Sequence, residues 1–208
     1  MSRDPAAART ALLDAGAWFA DLVGELRPHH WTRPGLGAWD VRALVGHTHR
    51  ALVTLGTYLT VPAEDETCTA VAQYYALSAA TTDPGEVAAR GVAAGRELGR
   101  HPAAAVRTSL ERARDALAQV PLDEDPLIRT VVGGTRLRAY VPTRTFELAV
   151  HGLDVAQACG LDRRPPEHVL ADAGQTVLEV AAQGGHLPGV LLALTGRRPL
   201  PPGFSVLG

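Results

Sequence analysis

Apolar residues recur at three- and four-residue steps from Pro5 to about Leu26, at Leu12, Leu13, Ala17, Phe19, Ala20, Val23 and Leu26, which is the period of a helix with one buried face. A second stripe runs through Val41, Leu44, Val45, Thr48, Leu52, Leu55 and Leu59. It follows Asp40, whose short carboxylate suits an N-cap. The stretch Arg27 to Ala38 between them holds two prolines and two glycines and reads as a connection, with Trp31 and Trp39 expected to pack as lids on the bundle end. Residues 61 to 83 are the least patterned part, read as a loop followed by a short helix through Val71 to Ala79. Asp83-Pro84 then starts a helix to about Leu98, interrupted by Gly91 and Gly95, and His101-Pro102 starts another, with Val106, Leu110, Ala113, Leu117 and Val120 at helical spacing.

The period changes between Leu127 and Arg138, where Ile-Arg-Thr-Val-Val, then Gly133-Gly134, then Thr-Arg-Leu-Arg predict a small β-hairpin with a glycine turn. Helical spacing returns from about Val141 to Cys159, with Pro142 acceptable in the first turn and Gly160 as terminator. Two further helices are expected over 166–183 and 187–194, followed by an extended tail. The fold class predicted is mainly α: a four-helix bundle with one long crossover, a small β-hairpin and a short C-terminal helical extension. Residues 1–160 form the bundle and 161–208 the extension and tail.

Composition narrows the function. A formal net charge of -2, with no basic cluster interleaved with aromatics, argues against a nucleic-acid partner. No run of 18 apolar residues occurs and the N-terminus lacks the shape of a signal peptide, so a cytoplasmic protein without membrane association is expected. Cys68 and Cys159 form no CxxC pair, which leaves neither a disulfide framework nor a cysteine zinc site, and any thiol chemistry must use an outside thiol. All 20 basic residues are arginine, a pattern of GC-rich coding that also removes Schiff-base catalysis by lysine.

Candidate chemistry lies on the helix predicted after the hairpin. Steps of 100° place Arg144, Glu147, His151 and Asp154 in one narrow stripe, with Phe146, Ala149, Val150 and Leu153 on another face. Glu147 and His151, one turn apart, are spaced to close on a single cation, and a histidine from the second helix would make a set of three that leaves one position of a tetrahedral zinc open. The plainer arrangement is a solvated ion-pair stripe, Arg144 with Glu147 and His151 with Asp154, and this helix taken alone favours it. On the second helix His47 and His49 flank the apolar stripe on opposite sides, and spacing does not choose between them. His29, His30, His101, His168 and His186 have no partner at ligand spacing.

Three segments carry a resemblance: Trp39-Asp-Val-Arg-Ala-Leu-Val-Gly-His47, the pattern Arg144-x-x-Glu147-x-x-x-His151-x-x-Asp154, and Leu191-Leu-Ala-Leu-Thr-Gly-Arg197. Together they resemble the mycothiol-dependent maleylpyruvate isomerase family of the DinB-like metal-binding superfamily, over roughly Ala11 to Arg197. The resemblance implies a DinB-like four-helix bundle whose zinc, or another divalent metal, is held by His47, Glu147 and His151, with His49 left out. It implies mycothiol, a small-molecule thiol of actinobacteria, as cosubstrate, delivered as a thiolate to a small electrophile for S-transfer or isomerisation. Asp154 is then expected to support His151 or accept a hydrogen bond from the thiol. Arg144 is expected to orient Glu147 or bind a substrate carboxylate, each role competing with a surface ion pair.

The maleylpyruvate isomerases carry an additional C-terminal domain, whereas only residues 161–208 follow the bundle here, so the resemblance does not transfer a substrate. Two other readings stand beside the thiol enzyme. In one, the metal activates water in a hydrolase or serves a biosynthetic enzyme that uses no thiol, although no HExxH segment is present. In the other, the bundle, as a monomer or a homodimer, binds metal or a small molecule without catalysis.

Overall fold

Short acidic side chains open the helices where the sequence places them. The computed structural model describes residues 3–81 and 83–207. Asp4 accepts a hydrogen bond from Ala7 N at 2.9 Å and Asp40 one from Ala43 N at 2.8 Å, starting α1 (Pro5–Gly24) and α2 (Val41–Tyr58). After α3 (Val71–Thr81), Asp83 caps Glu86 N at 3.0 Å and α4 (Pro84–Glu97) begins. Next come α5 (Pro102–Ala118), the antiparallel strands β1 (Leu127–Thr130) and β2 (Gly133–Arg136), α6 (Leu137–Cys159), α7 (Glu167–Gln183) and α8 (Leu187–Leu194). The protein is mainly helical, with eight α-helices and one two-stranded hairpin among the described residues.

The expected start of α6 is corrected by one turn. The helix begins at Leu137, directly out of β2, because Leu137 N donates to Pro126 O at 3.1 Å and Arg138 N donates to Asp125 Oδ1 at 2.8 Å, satisfying two of its otherwise unpaired first-turn donors. Pro142 therefore lies inside the helix rather than in its first turn.

The poorly patterned segment after α2 is held by the hairpin. Arg129 N donates to Val61 O and Ala63 N to Leu127 O along β1, while Thr67 N donates to Gly134 O and Arg136 N to Cys68 O along β2. Backbone pairing of this kind leaves no hydrophobic period to read, and it covers both edges of a hairpin that would be marginal alone.

α1, α5, α2 and α6 form a ring in which each helix packs on the next and α6 closes back on α1. Their inward faces supply Leu12, Phe19, Leu22, Leu44, Leu52, Leu55, Tyr140 and Leu148, all essentially fully buried. Each such large apolar side chain contributes about 1.5–3 kcal/mol of transfer free energy. α4 lies across α2 in backbone contact: a Cβ on Gly46 would stand 2.1 Å from the amide nitrogen of Gly95. The two glycines that interrupt α4 in the sequence thus sit on its contact face. α7 packs against α6, α3 and α1, burying Val169 and Ala173 in the same core as the bundle. No helix is long and apolar enough to cross a membrane among the described residues.

Candidate metal centre

His47 lies on α2 and Glu147 and His151 on α6, neighbours in the ring, so the two apolar stripes that pack these helices also bring the polar flanks together. One ligand atom from each of the three lies within 4.8 Å of the others. The Oε2 of Glu147 is 3.6 Å from His47 Nε2 and 3.4 Å from His151 Nε2. Both separations are long for hydrogen bonds, but they match the edge of a tetrahedron with bonds of about 2.0–2.1 Å, roughly 3.4 Å. Two imidazole nitrogens and a carboxylate oxygen are a donor set that suits zinc and other divalent metals, and the three residues can hold such an ion. Their side chains are 17–21% exposed, so the group is largely buried rather than on a solvated face.

The stripe on α6 is divided between two tasks. His151 pairs with Asp154 as the ion-pair arrangement requires, at 3.0 Å from Nδ1 to Oδ2. This contact places a hydrogen on Nδ1 and directs Nε2 toward Glu147. Arg144 makes no ion pair with Glu147. Its guanidinium lies over the rings of Tyr140 and Tyr74, at 4.6 and 5.4 Å from their centroids, and its Nε donates to Thr143 Oγ1 at 3.0 Å.

These neighbours set the charge of the metal-free site. Burial alone would raise the pKa of Glu147, but the attraction of His151 and His47 and the charge of Arg144 outweigh it and hold the carboxyl well below its ordinary value. For His151, burial pulls downward while Asp154 and Glu147 pull upward, and the result is about 9. Without an ion, His151 and Glu147 thus form a partly buried imidazolium–carboxylate pair.

The choice that spacing leaves open on α2 is decided by packing. His49 points to the other side of the helix, where its Nε2 is 2.8 Å from Ser109 Oγ on α5, and burial lowers its pKa to about 4. His47 instead packs against Trp39, with ring centroids 4.5 Å apart. Trp39 is itself fixed by α4: its Nε1 donates to Ala88 O at 2.9 Å, and its ring lies so close to Gly91 that a Cβ there would stand 2.6 Å away. This tryptophan, expected as a lid on the bundle end, is wedged between α4 and the candidate ligand. Of the remaining histidines, His168 pairs with Asp14. Cys68 and Cys159 are buried and form no disulfide.

Tyr75 on α3 was not singled out by the sequence. Its hydroxyl lies 3.3 Å from Glu147 Oε1 and 3.4 Å from the carbonyl of Thr143. Burial, reinforced by Glu147, pushes its pKa well above 10. All four tyrosines of the chain, Tyr58, Tyr74, Tyr75 and Tyr140, form one connected aromatic cluster around Arg144 and the rear of the site. The paired Tyr74-Tyr75 was the visible signal, in a segment whose weak pattern gave no reason to aim it at α6.

Comparison with curated proteins and with solved structures gives no match. The sequence profile of the mycothiol maleylpyruvate isomerase N-terminal domain matches residues 12–156, a span that begins in α1, includes all three candidate ligands and ends near the end of α6. That is well over half of the chain, and the chain belongs to the mycothiol maleylpyruvate isomerase N-terminal domain family.

Proposed function

We propose that this protein is a zinc enzyme that activates a low-molecular-weight thiol of the mycothiol type for S-transfer to, or isomerisation of, a small electrophilic substrate. The observation that carries the reading is the three-membered donor set. Glu147 stands at tetrahedral-edge spacing from both His47 and His151, all three ligand atoms lie within 4.8 Å of one another, and no fourth His, Cys or carboxylate joins them among the described residues. A structural zinc takes four protein ligands, whereas a catalytic one takes three and keeps a position for a reactant. Family membership adds the thiol, because the family is named for a mycothiol-dependent isomerase.

Zinc, when bound, supplies the positive charge that makes an arriving thiol a thiolate at neutral pH. The chain's own residues do the rest. Asp154 holds the Nδ1 hydrogen of His151 and so fixes the orientation of its Nε2; it acts through His151 and is a positioning residue. Arg144 keeps a positive charge one helical turn from Glu147, favouring the ionised carboxylate the site needs, and the Tyr74 and Tyr140 rings hold that charge in place. With Cys68 and Cys159 both buried, the nucleophilic sulfur comes from outside the chain.

Calorimetric titration of the zinc-loaded protein with mycothiol tests the reading. Saturable binding that is lost in the metal-free protein is expected. Zinc loading without thiol binding would contradict the thiol and favour water activation or a binding role.

A further inference from the structure

We infer that Tyr75 sets the mode in which Glu147 binds a metal, holding it to one oxygen and so keeping a coordination position free for a reactant. The inference rests on the metal-site reading above. A carboxylate facing a metal can give one oxygen or both, and the second mode fills a position that the reactant would use.

The two oxygens of Glu147 have different surroundings. Oε2 faces the Nε2 atoms of both histidines, at 3.6 and 3.4 Å. Oε1 is turned toward the Tyr75 hydroxyl, 3.3 Å away. That hydroxyl has a single hydrogen and two acceptors within reach, Glu147 Oε1 and the Thr143 carbonyl at 3.4 Å. The carboxylate is the stronger acceptor because it carries the charge. A donor directed at Oε1 competes with a second metal bond for one of that oxygen's two lone pairs and so biases the carboxylate toward binding through Oε2.

The ring is held well enough to act in this way. Tyr75 packs edge-to-face on Phe146 at 5.4 Å, and α3 itself packs on α6 and α7. Phe146 precedes Glu147 on α6, so the contact that anchors the tyrosine also registers it against the ligand. The residue contributes geometry and touches no reactant, which makes it a positioning residue.

The test uses cobalt as the probe, because its visible absorption weakens as its coordination number rises. Wild type, Tyr75→Phe and, as a control for the loss of a phenol in the same cluster, Tyr58→Phe are loaded with Co²⁺, and spectra and affinities are recorded. Phenylalanine keeps the ring contact with Phe146, so Tyr75→Phe removes only the hydroxyl. Wild type and Tyr58→Phe are expected to give the intense spectrum of a four-coordinate ion, and Tyr75→Phe a weaker one of higher coordination with affinity reduced about tenfold or more. Identical spectra and affinities in wild type and Tyr75→Phe would overturn the role of Tyr75 and leave the metal site standing. A wild-type protein that binds no cobalt would overturn both.

Discussion

His151 and Asp154 are joined on α6 by a contact of 3.0 Å between Nδ1 and Oδ2, and the same imidazole presents its Nε2 to Glu147 at 3.4 Å. One ring thus links a supporting carboxylate to a ligand carboxylate. Replacing Asp154 with asparagine keeps the shape and removes the charge, so the metal should remain bound with an affinity lower by roughly 10–100-fold. A competition titration against a chromophoric chelator measures this, and unchanged affinity would make Asp154 a surface residue.

The pair also predicts a pH dependence. His151, at about 9 in the metal-free protein, stands above the ordinary histidine value of about 6.5. Its contribution to the stability of the metal-free form is fully present below pH ~6.5 and is lost as the pH rises through about 9, amounting to about 3 kcal/mol at most. Thermal melts of the metal-free protein should fall over that window. Loading a metal at pH 7 must displace the Nε2 proton, so affinity should rise with pH up to about 9, with proton release visible by calorimetry in buffers of different ionisation enthalpy.

His47→Ala and His49→Ala should separate cleanly. The first removes a candidate ligand, and metal binding should be lost. The second breaks the contact with Ser109 and leaves a cavity between α2 and α5, costing about 1–3 kcal/mol of stability with metal content unchanged. Denaturant melts and elemental analysis of both variants check the division.

Gly46→Ala tests the crossing of α2 and α4. Its Cβ would meet the backbone of Gly95 at 2.1 Å, which no side-chain rotation relieves, so a loss of about 3 kcal/mol or more is expected in a chemical denaturation curve. The variant should also weaken metal binding, because displacing α4 removes the wedge that Trp39 forms behind His47.

Much of this fold is legible in the sequence because its helices are amphipathic and bounded by explicit signals. Asp4, Asp40 and Asp83 cap the helices that follow them, and the hairpin forms where expected, but its turn is Val131-Val132: Gly133 and Gly134, expected in the turn, lie in β2 opposite Thr130 and Arg129. α6 begins one turn before its apolar spacing indicates because its first donors are satisfied by Asp125 and Pro126, a match that no local period reveals. Within the site, the i, i+4 spacing shows that Glu147 and His151 can act together. The partner from α2 depends on which flank of a buried stripe faces α6, which is a property of helix rotation in the bundle. Arg144 departs from the expected pairing because its guanidinium lies over the rings of Tyr74 from α3 and Tyr140 from α6. Tyr75 lies beyond any motif, since the hairpin holds the segment before α3 mainly by backbone pairing, with the Arg136–Glu66 ion pair beside it.

The most direct measurement is the zinc content of the purified protein, by mass spectrometry of the metal, in wild type beside His151→Ala. The account predicts about one zinc per chain in wild type and almost none in the variant, with both folded by circular dichroism. Equal zinc in the two proteins, or none in wild type after incubation with excess metal, would contradict the assignment of His47, Glu147 and His151 as a metal centre.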